Sequence, residues 1–273
     1  MLFRYKSFTV HYKVTGSGNP LVLLHGFGED GGVWDNQVAA LQTEAMVIVP
    51  DLPGSGKSKV NKMEFTEQSQ PLFDSIEFYA DVIKALLDDL QINNCVMLGH
   101  SLGGYITLAF AEKYPSFLKG FGLIHSTSFA DSDERKGIRR RGIGLMEEYG
   151  GYPFLKNSIP NLFTADFKQQ QPDKVEGLIE KAKEFETTAL QSYYRAMIFR
   201  PDRTFVLKES KVPVLIIAGE QDIVVPLNDC LQQAHQPDIC HVHILKKSAH
   251  FGMWEEPEEM NEAIRKFIKS ITN

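Results

Sequence analysis

The sequence predicts an α/β fold in which a mostly parallel central sheet carries helices on both faces and a helical cap insertion. Three observations predict it. Short, almost wholly apolar runs recur along the chain, amphipathic helical patterns separate them, and one long segment, residues 127–210, lacks a buried-strand pattern. A length of 273 residues suits one large domain or a core domain with an insertion.

The predicted strands are of two kinds. The first run, "FTVHYKV", alternates between apolar and polar residues, which is typical of an exposed or edge antiparallel strand. The later runs are apolar throughout and favour parallel strands covered on both faces. They are "PLVLLHG", "MVIVPD", "NCVMLGH", "GFGLIH" and "VPVLIIAG".

Helical patterns separate these strands. In "SIEFYADVIKALLDDLQI" the apolar residues follow one another at three- and four-residue spacing and form one stripe. The last pattern, "PEEMNEAIRKFIKSI", begins with Pro257 and has acidic residues in its first turn, as helix starts commonly do. Strand and helix therefore alternate, which indicates a doubly wound sheet.

The alternation stops between Thr127 and Ser210. This segment has helical patterns rich in charged and aromatic residues, clearest in "DERKGIRRRGIGLMEEYGG" and "KVEGLIEKAKEFETTALQSYYRAMIF". An insertion of this size between two core strands predicts a helical cap over one end of the sheet. We therefore expect a core formed by residues 1–126 and 211–273, and a cap formed by residues 127–210.

Composition limits the classes of partner. The net charge of −6 gives no electrostatic reason to expect nucleic acid or an anionic membrane. No apolar run approaches the roughly 20 residues that span a bilayer, and the N-terminal residues lack the apolar core of a signal peptide. Three cysteines form an odd, sparse set that is typical of reduced thiols. We expect a cytoplasmic protein.

The clearest chemical motif is "GHSLGG", which runs from Gly99 to Gly104 between the predicted strand "CVML" and the helical pattern "YITLAFAEKY". A serine in a sharp strand–turn–helix connection needs glycines two residues before and after it, because side chains there would clash. Such a turn presents the Ser101 hydroxyl at a helix N-terminus, where the Leu102 N–H stabilises a developing oxyanion. We expect Ser101 to be a nucleophile.

This motif and three others occur in the order that is typical of the α/β-hydrolase superfamily. The chain resembles that superfamily over nearly its whole length. The loop "LLHGFGED" is similar to the family's oxyanion loop, and the resemblance implies that the Phe27 N–H is a second oxyanion donor beside Leu102. In the family the acid follows the strand after the cap, and the histidine follows the last strand. "LIIAGEQDIVVP" has Asp222 and "HILKKSAHFGMWEEPEE" has His250 at those points.

Some assignments have alternatives. Asp131 and Asp133 follow the strand before the cap, a position that some members of the superfamily use for the acid, although Asp222 fits the commoner arrangement. His125 ends a predicted core strand and is expected to line the site without a catalytic step of its own. Tyr193 and Tyr194 lie on the last long cap helix, so we expect them to contact substrate.

Three further features are interpreted from the sequence. His100 is interpreted as a packing residue. His241 and His243 are two residues apart on one strand face, but no acidic cluster accompanies them, so we expect no metal site. The run "RKGIRRR" is interpreted as a solvated cap face, with a clamp for an anionic substrate as the alternative.

The stretch "DLPGSGKS", Asp51 to Ser58, ends like a phosphate-binding loop but lacks that loop's first glycine. Asp51 would set a carboxylate beside any phosphate, and Pro53 removes an N–H donor. The segment that follows, "KVNKMEFTEQSQP", is not the pattern of a strong helix. Many members of the superfamily carry a D-x-x-G-x-G-x-S turn here, so we expect Asp51 to cap a glycine turn and expect no nucleotide site.

The resemblance implies a serine hydrolase that cleaves small to medium carboxylic esters through a Ser-His-Asp triad and an acyl-enzyme. No cofactor is expected; the expected partner is a small-molecule ester, and the expected state is a monomer or homodimer. Two alternatives share the same motifs. One is a hydrolase of carbon–carbon bonds in ring-cleavage products, and the other is a hydrolase-like ligand receptor with slow turnover.

Overall fold

The structure, a computed structural model, describes residues 1–6, 8–60 and 73–272. Most of the segment "KVNKMEFTEQSQP", which the sequence analysis interprets as lacking a strong helix, therefore lies outside the described residues. No helix within the described ranges is both long enough and apolar enough to cross a membrane.

The sheet has the spatial order β1-β2-β4-β3-β6-β7-β8-β9, with β5 paired to β2. From β4 to β9 all neighbouring strands are parallel, and the pairs that β2 forms are antiparallel. The strands are β1 (Leu2–Tyr5), β2 (Phe8–Thr15), β3 (Pro20–Leu24), β4 (Met46–Pro50), β5 (Lys59–Val60), β6 (Cys95–His100), β7 (Leu118–Ile124), β8 (Val214–Gly219) and β9 (Cys240–Leu245).

The α-helices are α1 (Asp35–Leu41), α2 (Ile76–Asp89), α3 (Leu102–Lys113), α4 (Asp133–Tyr149), α5 (Gly151–Ser158), α6 (Ala165–Gln170), α7 (Pro172–Lys181), α8 (Thr187–Phe199), α9 (Thr204–Lys208), α10 (Leu227–Gln233), α11 (Gly252–Glu255) and α12 (Pro257–Thr272). Short 3-10 turns cover Gly31–Trp34, Pro115–Phe117, Ile159–Leu162 and Ala182–Glu184. The mostly parallel sheet with surrounding helices confirms the predicted fold class.

Apolar runs form the interior strands because both faces of those strands are covered. β6 and β8 are buried at every position. One core layer contains Ile83 of α2 and Phe110 of α3, and the other contains Leu41 of α1 and Phe267 of α12. The sheet is thus enclosed on both faces, as parallel sheets usually are.

The first alternating strand occupies a different place from the edge position that its pattern favours. β2 is antiparallel, as predicted, but it lies between β1 and β4. The alternation arises because β2 is buried on one face only, with Phe8 and Val10 in the core. The preceding residues, Leu2–Tyr5, pair along its outer edge.

The chain between β7 and β8 is described throughout and contains helices α4–α9 without a strand. These helices contact the loops that follow the parallel strands. The Tyr193 hydroxyl of α8 donates to the Pro53 carbonyl at 2.7 Å, and the His250 N–H donates to the Leu162 carbonyl at 3.0 Å. The turn after β4 and the loop after β9 are therefore in contact with the segment between β7 and β8.

Candidate active site

Ser101 lies in a strained turn between β6 and α3. Its backbone has φ 51° and ψ −113°, a region that residues with a side chain rarely occupy. The Ser101 N–H donates to the Ile124 carbonyl at 3.0 Å, and the Ser126 hydroxyl donates to the Ser101 carbonyl at 2.7 Å. These two bonds, one to the last residue of β7 and one to the segment that follows it, hold the turn in this conformation.

Glycines on either side of Ser101 allow the turn to close. A Cβ at Gly99 would lie 2.1 Å from the Gly103 carbonyl oxygen, and a Cβ at Gly103 would lie 2.5 Å from the Leu24 carbonyl oxygen. A Cβ at Gly104 would meet the Ser126 hydroxyl at 2.3 Å. The glycine requirement predicted from "GHSLGG" is therefore confirmed, and it arises from direct backbone contact of α3 with β3 and β6.

Asp222 follows β8 and contacts His250, which follows β9. The Nδ1–H of His250 donates to Asp222 Oδ2 at 2.8 Å, and both side chains are buried. The N–H groups of Val224 and Val225 donate to Asp222 Oδ1 at 2.8 and 2.9 Å. The carboxylate is thus fixed by its own turn and presents its second oxygen to the imidazole.

Charges shift the pKa values of this pair in opposite directions. Burial raises the pKa of Asp222, but the imidazoles of His250 and His125 outweigh it and hold that pKa far below its usual range. Burial lowers the pKa of His250, but the Asp222 carboxylate raises it by more. The pKa of His250 therefore lies above its ordinary value. An ionised acid therefore faces a histidine that is a strengthened base.

A second histidine contacts the same carboxylate oxygen. The Nδ1–H of His125 donates to Asp222 Oδ2 at 3.2 Å, and the ring is fully buried. Burial lowers the pKa of His125 to about 4, so this ring is neutral near pH 7. From the sequence, His125 was expected to line the site. In the structure it contacts Asp222 and is not among the residues that line the cavity described below. A Cβ added at Gly252 would lie 2.4 Å from its Nε2.

The loop after β3 is fixed by a buried glutamate that sequence reasoning missed. Glu29 Oε2 accepts from the Gly26 N–H at 2.8 Å and from His100 Nδ1 at 3.0 Å. His100 Nε2 donates to the His250 carbonyl at 2.9 Å. His100 therefore connects the Phe27 loop to the His250 loop. The sequence carried no signal for this role of Glu29, because its partner His100 is 71 residues away along the chain.

Both tryptophans of the chain lie beside these loops. The Trp34 ring is buried, with its centroid 6.4 Å from that of His100. The indole N–H of Trp254 donates to the Val33 carbonyl at 3.0 Å. The Trp254 ring also stacks on Phe163, with ring centroids 6.0 Å apart, so this indole contacts the segment between β7 and β8 as well.

A cavity of about 240 Å³ contains Ser101 and His250 in its wall. Phe27 and Tyr194 also line it, and their ring centroids are 4.5 Å apart. The remaining lining residues include Arg135, Arg139, Leu155, Ile159, Leu162, Leu178, Met197 and Val224. Helices α4, α5, α7 and α8 and the 3-10 turn Ile159–Leu162 thus supply much of the cavity wall.

Of the two tyrosines proposed to contact substrate, one lines this cavity. Tyr194 does, whereas Tyr193 lies elsewhere, fully buried. The Tyr193 hydroxyl is bonded to the Pro53 carbonyl and is 2.9 Å from the Ser55 hydroxyl, and its ring packs against Tyr79. Adjacent residues of α8 therefore point in different directions, Tyr194 toward the serine and Tyr193 toward the turn after β4.

The alternative acids do not contact His250. Asp131 is bound by two arginines, at 2.6 Å to Arg139 Nε and 2.9 Å to Arg200 Nη2. Burial raises the pKa of Asp131, but these guanidiniums outweigh it and lower the net value. Asp133 begins α4, where an acidic residue stabilises the helix N-terminus. Among the described residues, Asp222 is the carboxylate that bonds to His250 Nδ1.

Among the described residues, one group of side chains is spaced closely enough to bind a metal ion. It consists of His125, Asp222 and His250, whose candidate ligand atoms lie within 4.8 Å of one another. Both Nδ1 atoms are at hydrogen-bond distance from one carboxylate oxygen. The two imidazoles therefore both donate an N–H to the same oxygen of Asp222. His241 instead packs on Phe267, with ring centroids 5.4 Å apart.

The turn "DLPGSGKS" is organised by Asp51, as predicted. Asp51 Oδ1 accepts from the Gly31 N–H at 2.9 Å, and Oδ2 accepts from the Lys57 N–H at 2.9 Å. The Ser58 hydroxyl donates to the Asp51 carbonyl at 2.7 Å. A carboxylate therefore binds a backbone N–H that a phosphate-binding loop would offer to its ligand.

The comparisons with known proteins agree with this architecture. The family model described as "alpha/beta hydrolase fold" matches residues 19–144. Among solved structures, a thermophilic esterase from Thermogutta terrifontis is 28% identical, with a TM-score of 0.89 over 97% of this chain and 95% of that one. An enol-lactonase from Burkholderia xenovorans LB400 shares the fold at 21% identity and a TM-score of 0.88, over 98% of this chain and all of that one.

Curated relatives include hydrolases with other substrates. A 2-hydroxy-6-oxononadienedioate/2-hydroxy-6-oxononatrienedioate hydrolase from Burkholderia vietnamiensis is 28% identical over 95% of this chain and 91% of its own. A 2-hydroxy-6-oxo-6-phenylhexa-2,4-dienoate hydrolase from Comamonas testosteroni is 28% identical over 96% of this chain and 92% of its own. By its fold, its family match and these relatives, the chain belongs to the α/β-hydrolase superfamily.

Proposed function

We propose that this hydrolase cleaves small to medium carboxylic esters with Ser101 as nucleophile, His250 as general base and Asp222 as the acid that orients it. The observation that carries the proposal is the bonded pair Asp222–His250 beside a strained serine in one cavity wall. A nucleophile, a base and an orienting acid are the three parts of acyl transfer. We further propose that residues 127–210 act as the cap and residues 1–126 and 211–273 as the core.

The first half of the reaction acylates the serine. Because His250 Nδ1 carries the hydrogen that Asp222 accepts, its Nε2 is free to take the Ser101 proton as the oxygen attacks the ester carbonyl. The tetrahedral adduct then expels the alcohol, which takes that proton from His250. The products at this stage are the alcohol and an acyl-Ser101 ester.

Two backbone N–H groups are proposed to stabilise the negative oxygen of the adduct. Leu102 is the first residue of α3, and a first-turn N–H has no intrahelical partner. Phe27 lines the cavity on a loop that Glu29 holds through the Gly26 N–H. Donors held in advance of the reaction stabilise developing charge without reorganisation.

The second half of the reaction repeats these steps with water. His250 takes a proton from the water molecule that attacks the acyl-Ser101 carbonyl, and the collapsing adduct returns the proton to Ser101. The carboxylic acid leaves. Asp222 remains ionised throughout, because its pKa lies far below the working range.

A second candidate is hydrolysis of a carbon–carbon bond in ring-cleavage products. It is favoured by the relatives from Burkholderia vietnamiensis and Comamonas testosteroni, whose names describe such hydrolases and which align with nearly the whole chain. The same nucleophile, general base and cap would take part in that reaction. The substrate there is a vinylogous diketone acid, and the bond broken joins two carbons.

The test is turnover of p-nitrophenyl acetate, butyrate and hexanoate beside a vinylogous diketone acid, with wild-type protein and Ser101→Ala. Ester cleavage that the alanine variant loses, together with fluorophosphonate labelling of Ser101, supports the ester proposal. Faster cleavage of the diketone replaces it with the second candidate. Binding without turnover of either substrate identifies a ligand receptor, and labelling of another serine in Ser101→Ala contradicts the assigned nucleophile.

A further inference from the structure

Two arginines of helix α4 line the cavity that contains Ser101 and His250. They are Arg135 and Arg139, from the run "RKGIRRR". Their neighbours Arg140 and Arg141 are exposed instead. A four-residue step along a helix places side chains on one face, so this spacing brings both guanidiniums to the same wall.

The position of Arg139 is fixed by its surroundings. Its Nε–H donates to Asp131 Oδ2 at 2.6 Å, and its guanidinium carbon lies 5.3 Å from the centroid of the Tyr194 ring. The side chain is 17% exposed. The bond to Asp131 uses one of five guanidinium hydrogens, so the terminal nitrogens retain donors for another acceptor.

Positive charge exceeds negative charge on this side of the cavity. Asp131 is shared between Arg139 and Arg200, so one carboxylate compensates two guanidiniums. Among the residues that the structure describes, the acidic partner of Arg135 is the distant Asp229, at 3.9 Å and with both side chains one-third exposed, an arrangement that contributes little. Neither aspartate lines the cavity.

The acid that does line the cavity is already engaged. Glu29 accepts from the Gly26 N–H and from His100, so its charge is compensated on the core side. The α4 side therefore offers guanidinium donors to the cavity, and within the described part of the chain no other carboxylate lines it. Partly buried guanidiniums of this kind gain most from a ligand that brings its own negative charge.

We propose that Arg135 and Arg139 bind a carboxylate of the substrate, so that the natural substrate is an anionic ester with a carboxylate remote from the bond that Ser101 attacks. Guanidinium groups bind planar carboxylates through paired N–H bonds, which would orient the ester against the serine. This proposal rests on the proposed ester hydrolysis for the identity of the reaction, but not for the existence of the anion site.

The experiment compares two substrates that differ in charge alone: the monomethyl ester of adipic acid and the corresponding primary amide, methyl 6-amino-6-oxohexanoate. We expect wild-type kcat/KM to be about 10- to 100-fold higher for the anionic ester, the range that one or two charged hydrogen bonds supply. Arg135→Gln and Arg139→Gln should each remove most of this preference by lowering turnover of the acid and not of the amide. Arg140→Gln, on the exposed side of the same helix, should keep it.

Equal kcat/KM for acid and amide, with Ser101-dependent turnover of both, would overturn the anion site and leave the ester proposal intact. If no ester is cleaved, calorimetry with adipate and Ser101→Ala protein still decides. Binding that Arg135→Gln loses and Arg140→Gln retains supports the site. Absence of adipate binding, or equal binding by all variants, contradicts it. Arg135 is half-buried, so its variant tests the site even if Arg139→Gln unfolds.

Discussion

His250 experiences two opposing influences whose balance sets the pH dependence of the proposed reaction. Burial favours the neutral imidazole, and the Asp222 carboxylate at 2.8 Å favours the charged one. The net shift is upward, so the midpoint lies above the ordinary histidine value of about 6.5. Because the base must be neutral in the free enzyme, kcat/KM should fall as pH drops through that midpoint.

Replacement of Asp222 tests this balance. Asp222→Asn removes the negative charge, so the midpoint of the kcat/KM profile should move to lower pH. Turnover should also fall by up to about 10⁴-fold, because asparagine no longer selects the productive tautomer. Asp131→Asn, which leaves His250 untouched, is the control and should keep the wild-type midpoint. A wild-type profile that is flat down to about pH 4 would show that His250 is not a base of this kind.

The sequence indicated Asp222 and His250, which the structure brings into contact, but it did not indicate Glu29, which holds the loop after β3. Ser101 and Asp222 each follow a recognisable apolar strand, whereas His250 follows the partly buried strand β9 and was assigned through the family resemblance. Glu29 and His100 are 71 residues apart and meet only when the loops after β3 and β6 fold together. His125 also ends a strand, but its positive φ of 47° accompanies a ring that lies behind Asp222 rather than in the cavity wall.

At the scale of elements, the serine turn depends on the close approach of α3 to the sheet. Gly103→Ala would place a Cβ 2.5 Å from the Leu24 carbonyl oxygen, and backbone on both sides cannot yield. We expect a loss of at least about 1–3 kcal/mol in the free energy of unfolding, as for overpacked cores. Urea denaturation measures it.

Another helical glycine provides the matched control. A Cβ at Gly144 of α4 would meet nothing within 4 Å. Gly144→Ala should therefore stabilise the protein by about 0.5–1 kcal/mol, because alanine favours the helix. Equal destabilisation by both substitutions would mean that general effects of glycine replacement, rather than the contact with Leu24, govern the response.

The turn after β4 permits a second comparison within one element. Asp51→Ala leaves the Gly31 and Lys57 N–H groups without their carboxylate acceptor, and each such loss costs about 1–3 kcal/mol when the donor stays buried. Lys57→Ala removes an exposed side chain and should change the free energy of unfolding by less than about 0.5 kcal/mol.

Calorimetry should detect no ATP or GTP binding. Micromolar nucleotide binding that Lys57→Ala abolishes would contradict the structural role of this turn.

At the scale of the whole molecule, the segment 127–210, which we propose to be the cap, forms part of the wall of the proposed active site. The wall that it contributes is mostly apolar, and each methylene that an acyl chain buries there gains about 0.8 kcal/mol. We expect kcat/KM to rise from acetate to butyrate or hexanoate esters and to fall for longer chains that exceed the cavity. Tyr194→Ala should shift this optimum toward longer chains, because it removes a ring from the wall.

The neighbouring tyrosine is the control for that measurement. Tyr193→Phe removes the hydroxyl bonded to Pro53 and Ser55 but changes nothing in the cavity wall. It should lower the free energy of unfolding by about 1 kcal/mol and leave the chain-length optimum in place. An optimum that moves equally in both variants would show that the position of α8, rather than the Tyr194 ring, limits the acyl group.

The sequence could not predict which cap residues face the cavity. The apolar and aromatic content of residues 127–210 indicated helices, and helices occur there. Which side of each helix faces Ser101 depends on how α4 and α8 cross the core, and that geometry comes from contacts such as Tyr193 with Pro53. Arg135 and Arg139 are therefore distinguished from Arg140 and Arg141 only in the folded molecule.

The positions of the two indoles allow tryptophan fluorescence to follow one part of the molecule. Residues 127–210 contain no tryptophan, but Trp254 stacks on Phe163 of that segment, whereas Trp34 has its ring contact with His100. Emission from a Trp254→Phe variant therefore reports on the surroundings of Trp34, whereas far-ultraviolet circular dichroism also records helices α4–α9. In a urea titration, coincident curves indicate that both parts melt as one cooperative unit. A dichroism change that precedes the emission change would reveal a cap that unfolds while the sheet beneath it stays intact.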